Sequence, residues 1–124
     1  MKFLARHDSN AYLLLRLVFG FLFACHGASK MFGVLGGHKV AAGLSLDYLG
    51  TLIELVAGVL IFLGLFTRIA AFIACGEMAV AYFKVHAPMG FFPIMNHGEL
   101  AVIYCFVALF IATRGAGRLG IDRS

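Results

Sequence analysis

Charged residues are scarce in this sequence. Only 13% of the 124 residues are Asp, Glu, Lys or Arg, whereas 62% are hydrophobic. A soluble domain carries about 25% charged residues, and a chain this short exposes much of its surface, which has to be covered with polar side chains in water. The mean hydropathy of +0.97 points the same way. The shortage of charge excludes an ordinary soluble domain and predicts that the chain folds in a lipid bilayer.

Common enzyme signatures are also missing. The sequence has no Gly-x-Gly-x-x-Gly, P-loop or serine nucleophile elbow. Cys25, Cys75 and Cys105 lie in apolar runs without a Cys-x-x-Cys, so we interpret them as small buried hydrophobic residues and disfavour a dithiol enzyme. Metal-ligand spacing and haem motifs are absent, so we predict no metal. Scattered basic residues without an aromatic platform disfavour nucleic acid, despite a net charge of +4.

Long apolar runs are what the sequence does have. Each is long enough to cross a hydrocarbon core of ~30 Å at ~1.5 Å per residue, and backbone groups in lipid must bond within their own segment. We therefore predict an all-α fold, a polytopic membrane four-helix bundle that forms one domain over residues 1–124. Its helices are expected at about residues 11–32, 48–66, 69–85 and 97–113.

Capping residues and small residues predict how these helices begin and pack. Asp47 and Thr67 precede or open the second and third helices as expected caps. Asn96 with Glu99 three residues later is typical of a capping box for the fourth. Small residues are expected at the helix contacts, namely Gly20, Ala24, Gly27, Ala28, Gly58, Ala70, Ala74 and Ala81.

The basic residues predict an orientation. Four crossings place both termini on one side, which we call the terminal side; the other is the loop side. Cytoplasmic loops of membrane proteins carry an excess of Lys and Arg, so the more basic terminal side is predicted to be cytoplasmic. The terminal side would hold Lys2, Arg6, Arg68, Arg114, Arg118 and Arg123, against Lys30, Lys39 and Lys84 on the loop side.

Ionisable side chains inside the apolar segments mark a candidate site. Glu54 lies about two turns, ~10 Å, inside the second segment, and Glu77 lies near the middle of the third. A charge at the bilayer centre costs at least ~2.5–3.5 kcal/mol, so such groups usually face the bundle interior and pair. We therefore predict a polar pocket in the outer half of the bundle. Its candidate residues are His26, Lys30, Glu54, Glu77, His86, Asn96 and Glu99, with Arg16 in the inner half as a further candidate.

The roles of these residues remain open at this level. Glu54 and Glu77 are candidate proton relays, and the other candidates would bind a ligand. In the structural alternative, Arg16 and Lys30 each extend to their own interface and Glu99 only caps the fourth helix. The aromatic sequence GFFP at residues 90–93 either anchors the loop at the interface or lines the entry for a flat hydrophobic ligand such as a quinone head.

Three stretches of the sequence resemble the DoxX family. They are LLLRLVFGFLFACHGASKMFG, IELVAGVLIFLGLFTRIAA and GFFPIMNHGELAVIYCFVALFIATRGAGRLGID, which together run from about Leu13 to Asp122. The resemblance implies a small four-helix protein of the bacterial cytoplasmic (inner) membrane, related to a thiosulfate:quinone oxidoreductase subunit. The matching positions are Arg16, His26-Gly27, Lys30-x-Phe32-Gly33, Glu54, Arg68, His86 and Asn96-x-Gly98-Glu99.

Three functions follow from the pocket and the resemblance. In the first, the chain is a membrane redox subunit: a quinone head binds between the helices, Glu54 or Glu77 relays its proton, and His26 and Lys30 hydrogen-bond its carbonyls. Electrons then come from a soluble or membrane oxidoreductase partner. In the second, the chain is a non-catalytic scaffold or assembly factor with a structural ion-pair network. In the third, it is a small proton-coupled carrier, which would require a homo-oligomer.

Overall fold

The fold is helical throughout the part that the computed structural model describes, residues 1–122, and contains no strand there. Arg123, which we counted among the cytoplasmic charges, lies outside these residues. The helix α4 runs on through a π-helical turn at Tyr82–His86 and a 3-10 turn at Ala87–Met89. The α-helices are α1 Lys2–Ala5, α2 Asp8–Phe32, α3 Leu46–Leu63, α4 Thr67–Ala81, α5 Pro93–Asn96 and α6 Glu99–Arg114.

The helix ends differ from the expected caps for local reasons. Ser45, not Asp47, caps α3, because its Oγ accepts a hydrogen bond of 3.1 Å from the backbone N of Tyr48. The same helix stops at Leu63 rather than near residue 66, because Gly64 takes a left-handed conformation (φ 71°) that ends a helix. Helix α6 begins at Glu99 behind Gly98 without a side-chain cap, so the capping box is not formed.

Helices α2 and α3 pack with their backbones close together. A methyl group on Gly20 would lie 2.5 Å from the backbone N of Phe62, and one on Gly27 would overlap the backbone of Leu55. From the other side, a methyl group on Gly58 would overlap the backbone of Ala24. The predicted small-residue contact is therefore where the two helices meet. Helix α4 in turn packs against α6 and contacts α3.

The outer surface of the helices is apolar. Buried residues include Phe23, Ile61 and Ile111 in a continuous core, yet large side chains such as Phe72 and Phe106 are exposed. Soluble proteins rarely expose apolar patches of this extent, which mark contact with lipid or protein. Helices over Asp8–Phe32, Leu46–Leu63 and Thr67–Met89 are each long and apolar enough to cross a membrane. Helix α6 is shorter, with 16 residues or ~24 Å.

On the terminal side of the molecule, two charged side chains form hydrogen bonds with the ends of α4 and α6. Asp122 accepts hydrogen bonds from the backbone N atoms of Phe66 (2.9 Å) and Thr67 (2.7 Å), so it caps α4 in place of the expected Thr67 side chain. Arg68 donates to the carbonyls that end α6, at 2.5 Å for that of Thr113. Asp122 thus accepts hydrogen bonds from free N–H groups at the start of α4, and Arg68 donates to free carbonyl groups at the end of α6 beside it.

Replacing Asp122 with Ala is expected to lower the free energy of unfolding by about 1 kcal/mol at neutral pH, because a lost helix cap costs this much. The hydrogen bond from the Thr67 backbone, above all, lowers the pKa of Asp122. The stabilisation is therefore complete above the ordinary pKa of about 3.9 and is lost as the pH falls below it. Thermal unfolding in detergent at pH 7 and at about pH 3 measures the effect.

Asp8→Ala is the matched control for Asp122→Ala. Asp8 is also an acidic residue on the terminal side, but it is exposed and lies 3.9 Å from Arg114, where an ion pair contributes little. Equal losses for both variants, or an Asp122→Ala loss that persists unchanged in acid, would contradict the capping role.

Candidate functional site

A polar cavity of about 350 Å³ opens between α2, α3 and α4 near the loop side. Lys30 at the end of α2, Glu54 in α3 and Glu77 in α4 all line it. Most of the remaining wall is apolar and comes from residues such as Ile53 and Val80. The cavity therefore has the character of a small-molecule site, with a few convergent polar groups in an apolar enclosure. We call it the polar cavity.

Lys30 and Glu54 form an ion pair across α2 and α3. Their Nζ and Oε2 atoms are 3.0 Å apart, and the side chain of Glu54 is only 3% exposed while that of Lys30 is 44% exposed. A carboxylate buried this deeply needs its partner, because an unpaired charge in a low-dielectric site is strongly unfavourable. The half-exposed ammonium can instead reach the interface by itself. The ion pair therefore matters more for the buried Glu54 carboxylate than for the half-exposed Lys30 ammonium.

The carboxyl groups of Glu54 and Glu77 face each other across α3 and α4. A methyl group on Gly50 would lie 3.3 Å from Oε2 of Glu77 and 3.9 Å from Oε2 of Glu54, so both carboxyl groups lie beside the same point of the cavity wall. Oε1 of Glu77 is buried without a hydrogen-bond partner among residues 1–122. The single ammonium of Lys30 can balance the charge of only one of the two carboxyl groups. The other carboxyl group can therefore carry a proton that is exchanged with a bound molecule.

His26 lies away from this cavity, although it is one helical turn from Lys30. Helix α2 sits between α3 and α6: Lys30 turns toward α3, whereas the exposed His26 packs edge-on against Tyr104 of α6 at 5.7 Å between ring centroids. Residues four apart share a helix face but differ by about 40° around the axis. That difference is enough to direct the two side chains to different neighbours.

His86 and Asn96 organise the loop between α4 and α6. Nδ1 of His86 lies 3.0 Å from the backbone O of Asn96. The buried Asn96 amide donates to the Tyr82 hydroxyl (3.0 Å) and the Gly90 carbonyl (2.9 Å), and it accepts from the backbone N of Gly98 (2.9 Å). His86 is the last residue of the π-helical turn Tyr82–His86 and does not line the polar cavity.

Asn96→Ala is expected to lower the free energy of unfolding by about 1–3 kcal/mol, because it leaves backbone groups of the loop without partners. Binding of a molecule in the polar cavity should not change. Thermal unfolding and ligand binding, measured on the same preparation, test both parts. The neighbouring exposed Met95 provides the control Met95→Ala, which should unfold like the wild type. Weakened binding without a loss of stability would instead show that Asn96 contacts the ligand.

Arg16 and Glu99 also lie outside the polar cavity. Glu99 is exposed at the start of α6. Arg16 is 1% exposed on the terminal side, where its Nη1 lies against Gly64 and Gly120. Its Nε and Nη1 atoms have no hydrogen-bond partner within residues 1–122. Arg16 therefore neither extends to solvent nor pairs with Glu54 or Glu77.

Several residues that line the cavity were not predicted as site residues from the sequence, although helical spacing identifies two of them, Gly50 and Lys84. Gly50 is four residues before Glu54 and Lys84 is seven after Glu77, so each shares a helix face with a carboxylate. Gly76 also lines the cavity, and a methyl group there would meet open space. Among the described residues, no three His, Cys, Asp or Glu side chains converge as metal ligands.

The fold and the cavity define a class: an all-helical membrane protein with ionisable groups gathered between its helices. Comparison with known proteins then gives the family. The DoxX family model matches residues 11–87, which include Lys30, Glu54 and Glu77, and the chain belongs to the DoxX family. No solved structure matches the chain.

Two relatives extend the comparison over most of the chain. A Haemophilus influenzae protein, whose name records no activity, is 43% identical over 98% of this chain and 96% of its own length. A Bacillus subtilis protein named "Putative oxidoreductase CatD" is 31% identical over 89% of this chain and 83% of its own length. The name of the Bacillus subtilis protein assigns an oxidoreductase activity to that protein only.

Proposed function

We propose that the chain crosses the bacterial cytoplasmic membrane four times, with both termini in the cytoplasm. Helix α6, at ~24 Å, spans most of a hydrocarbon core and packs along α4. Arg114 lies near Asp8, and Arg118 donates to Asn10, so the N- and C-terminal regions share a side. With Arg68 there as well, that side is the more basic one, which supports a cytoplasmic location.

We further propose that the protein is a membrane redox subunit that binds a quinone head in the polar cavity. The observation that carries this proposal is the meeting of Lys30, Glu54 and Glu77 in one apolar enclosure of about 350 Å³. A volume in this range holds a small ring system. The Lys30 ammonium would donate to a quinone carbonyl, and the adjacent carboxyls would supply and replace its protons.

The chemistry divides between this chain and a partner. Reduction of a quinone to a quinol takes two electrons and two protons. Glu54 and Glu77 would deliver the protons, since both carboxyls line the polar cavity beside Gly50. The electrons would arrive from a soluble or membrane oxidoreductase that docks on the protein. The oxidoreductase name of the Bacillus subtilis relative favours this reaction class.

Native mass spectrometry of the untagged protein, extracted gently from its own membrane, tests the proposal. We expect a bound quinone together with a co-purifying oxidoreductase. Lys30→Met is expected to lose the quinone of the polar cavity and so to carry less bound quinone than the wild type, because the carbonyl loses its donor, whereas the exposed surface variant Lys2→Met should bind as much as the wild type. Protein partners without any quinone would favour the scaffold instead. A homo-oligomer with neither quinone nor partner would overturn the redox assignment and favour a carrier.

A further inference from the structure

Two half-buried cysteines from different helices lie close together. Sγ of Cys75 in α4 lies 3.6 Å from Sγ of Cys105 in α6, although 30 residues separate them in the sequence. Both thiols are free. A disulfide bond has an S–S length of about 2.05 Å, so modest rotation of the two side chains would bring the sulfurs into bonding range. Cys25 lies apart from this pair on α2.

The pair adjoins a second, larger cavity. Cys105 forms part of the wall of a space of about 630 Å³ between α4 and α6. Tyr82, Phe83 and Phe106 line it, as does Phe91 of the GFFP loop. Flat aromatic walls and an almost wholly apolar lining suit a planar, lipid-soluble ring. We call this space the aromatic cavity; its walls are separate from those of the polar cavity.

The depth of the pair limits what it can react with. Cys105 is six residues after the start of α6, and Cys75 is six residues before the end of α4 at Ala81, so each lies ~9 Å along its helix from the nearer end. Water-soluble thiols do not reach a site at this depth in a bilayer. The reaction partner of the pair must therefore dissolve in the membrane.

We propose that Cys75 and Cys105 are a dithiol/disulfide redox site that exchanges two electrons with a quinone held in the aromatic cavity. In the forward direction both thiols lose their hydrogens, an S–S bond forms, and the quinone accepts two electrons and two protons to become a quinol. In reverse, a quinol reduces the disulfide to two thiols. This dithiol site is separate from the quinone site proposed for the polar cavity, and neither proposal depends on the other.

Anaerobic oxidation of the full-length protein by a quinone tests the proposal. The reduced protein, in lipid nanodiscs, is mixed with decylubiquinone without oxygen, so that the quinone is the sole oxidant. We expect one quinol to form per chain and two of the three thiols to be unreactive toward a maleimide that is added after the protein has been denatured. Peptide mapping of the wild-type protein should show a Cys75–Cys105 link. A different link, a link between chains, or three thiols that stay reactive would overturn the proposal.

Variants separate this site from packing and from the polar cavity. Cys75→Ser and Cys105→Ser should form no quinol above the protein-free background, whereas the control Cys25→Ser should react as the wild type does. Quinol formation by Cys75→Ser at the wild-type rate would overturn the proposal. Glu54→Gln combined with Glu77→Gln should still form the disulfide. If only the disulfide test fails, the function proposed for the polar cavity is not contradicted. If only quinone binding in the polar cavity is lost, the dithiol proposal is not contradicted.

Discussion

Glu54→Gln together with Glu77→Gln is expected to lower the rate of quinone reduction by about 10²–10⁴-fold, the usual contribution of general acid–base catalysis. Glutamine keeps the shape and hydrogen-bonding size of each side chain but cannot exchange a proton. Both residues must change, because the two carboxyls approach the same point beside Gly50 and one can replace the other. The measurement is turnover of decylubiquinone by membranes that contain the protein and its electron-donating partner.

Glu99→Gln is the matched control for this experiment. It makes the same chemical change at a glutamate that is exposed at the start of α6, outside the polar cavity, so turnover should match the wild type. Each single variant at Glu54 or Glu77 should retain more activity than the double variant. Unchanged turnover in a double variant that is folded and present at the wild-type level would contradict the proton-relay role. A loss of folded protein or of partner recovery would favour the scaffold function.

Gly27→Ala is expected to destabilise the protein by about 3 kcal/mol or more, at the upper end of the range for overpacked sites. The added methyl group would overlap the backbone of Leu55 in α3, and a backbone cannot rotate aside as a side chain can. The helices α2 and α3 would have to separate along the contact that also carries Gly20 and Gly58. Thermal unfolding in a mild detergent measures the loss.

Gly76→Ala tests whether the effect of Gly27→Ala comes from the helix contact. Gly76 is also a helical glycine, but an added methyl group there meets nothing within 4 Å. Alanine should therefore leave stability unchanged or raise it by about 0.5–1 kcal/mol, the gain in helix propensity. The same substitution is thus expected to lower stability at Gly27 but not at Gly76. A similar melting temperature for both variants would show that α2 and α3 do not meet at Gly27.

The fold was largely predictable because membranes impose strong local rules. Long apolar runs have to be helical in lipid, and small residues such as Gly27 and Gly58 mark where helices meet. The helix ends were harder to predict, since each depends on a specific contact. Asp122 caps α4 from more than fifty residues away, which no local capping rule can reveal. Ser45 competes with Asp47 as the cap of α3, and only the backbone geometry decides between them.

The site was predictable only in part, because it depends on helix rotation. The cost of burying charge singled out Lys30, Glu54 and Glu77 in the sequence, and the structure places all three around one cavity. Whether His26 faces the same cavity depends on how α2 is rotated, and the sequence does not fix that angle. The cysteines illustrate the limit best. No motif joins Cys75 to Cys105, and only the register of α4 against α6 places their sulfurs 3.6 Å apart.

Mapping a photoreactive quinone on the folded protein is the most direct test of quinone binding in the polar cavity. The label is activated in native membranes, and the modified peptides are identified with and without excess decylubiquinone. We expect displaceable label on the walls of the polar cavity, in residues 46–54 of α3 and 76–85 of α4 and the π turn, and we expect Lys30→Met to abolish it. Label confined to the lipid-facing surface or to the aromatic cavity, or label that excess quinone does not displace, would contradict a quinone site at Lys30, Glu54 and Glu77.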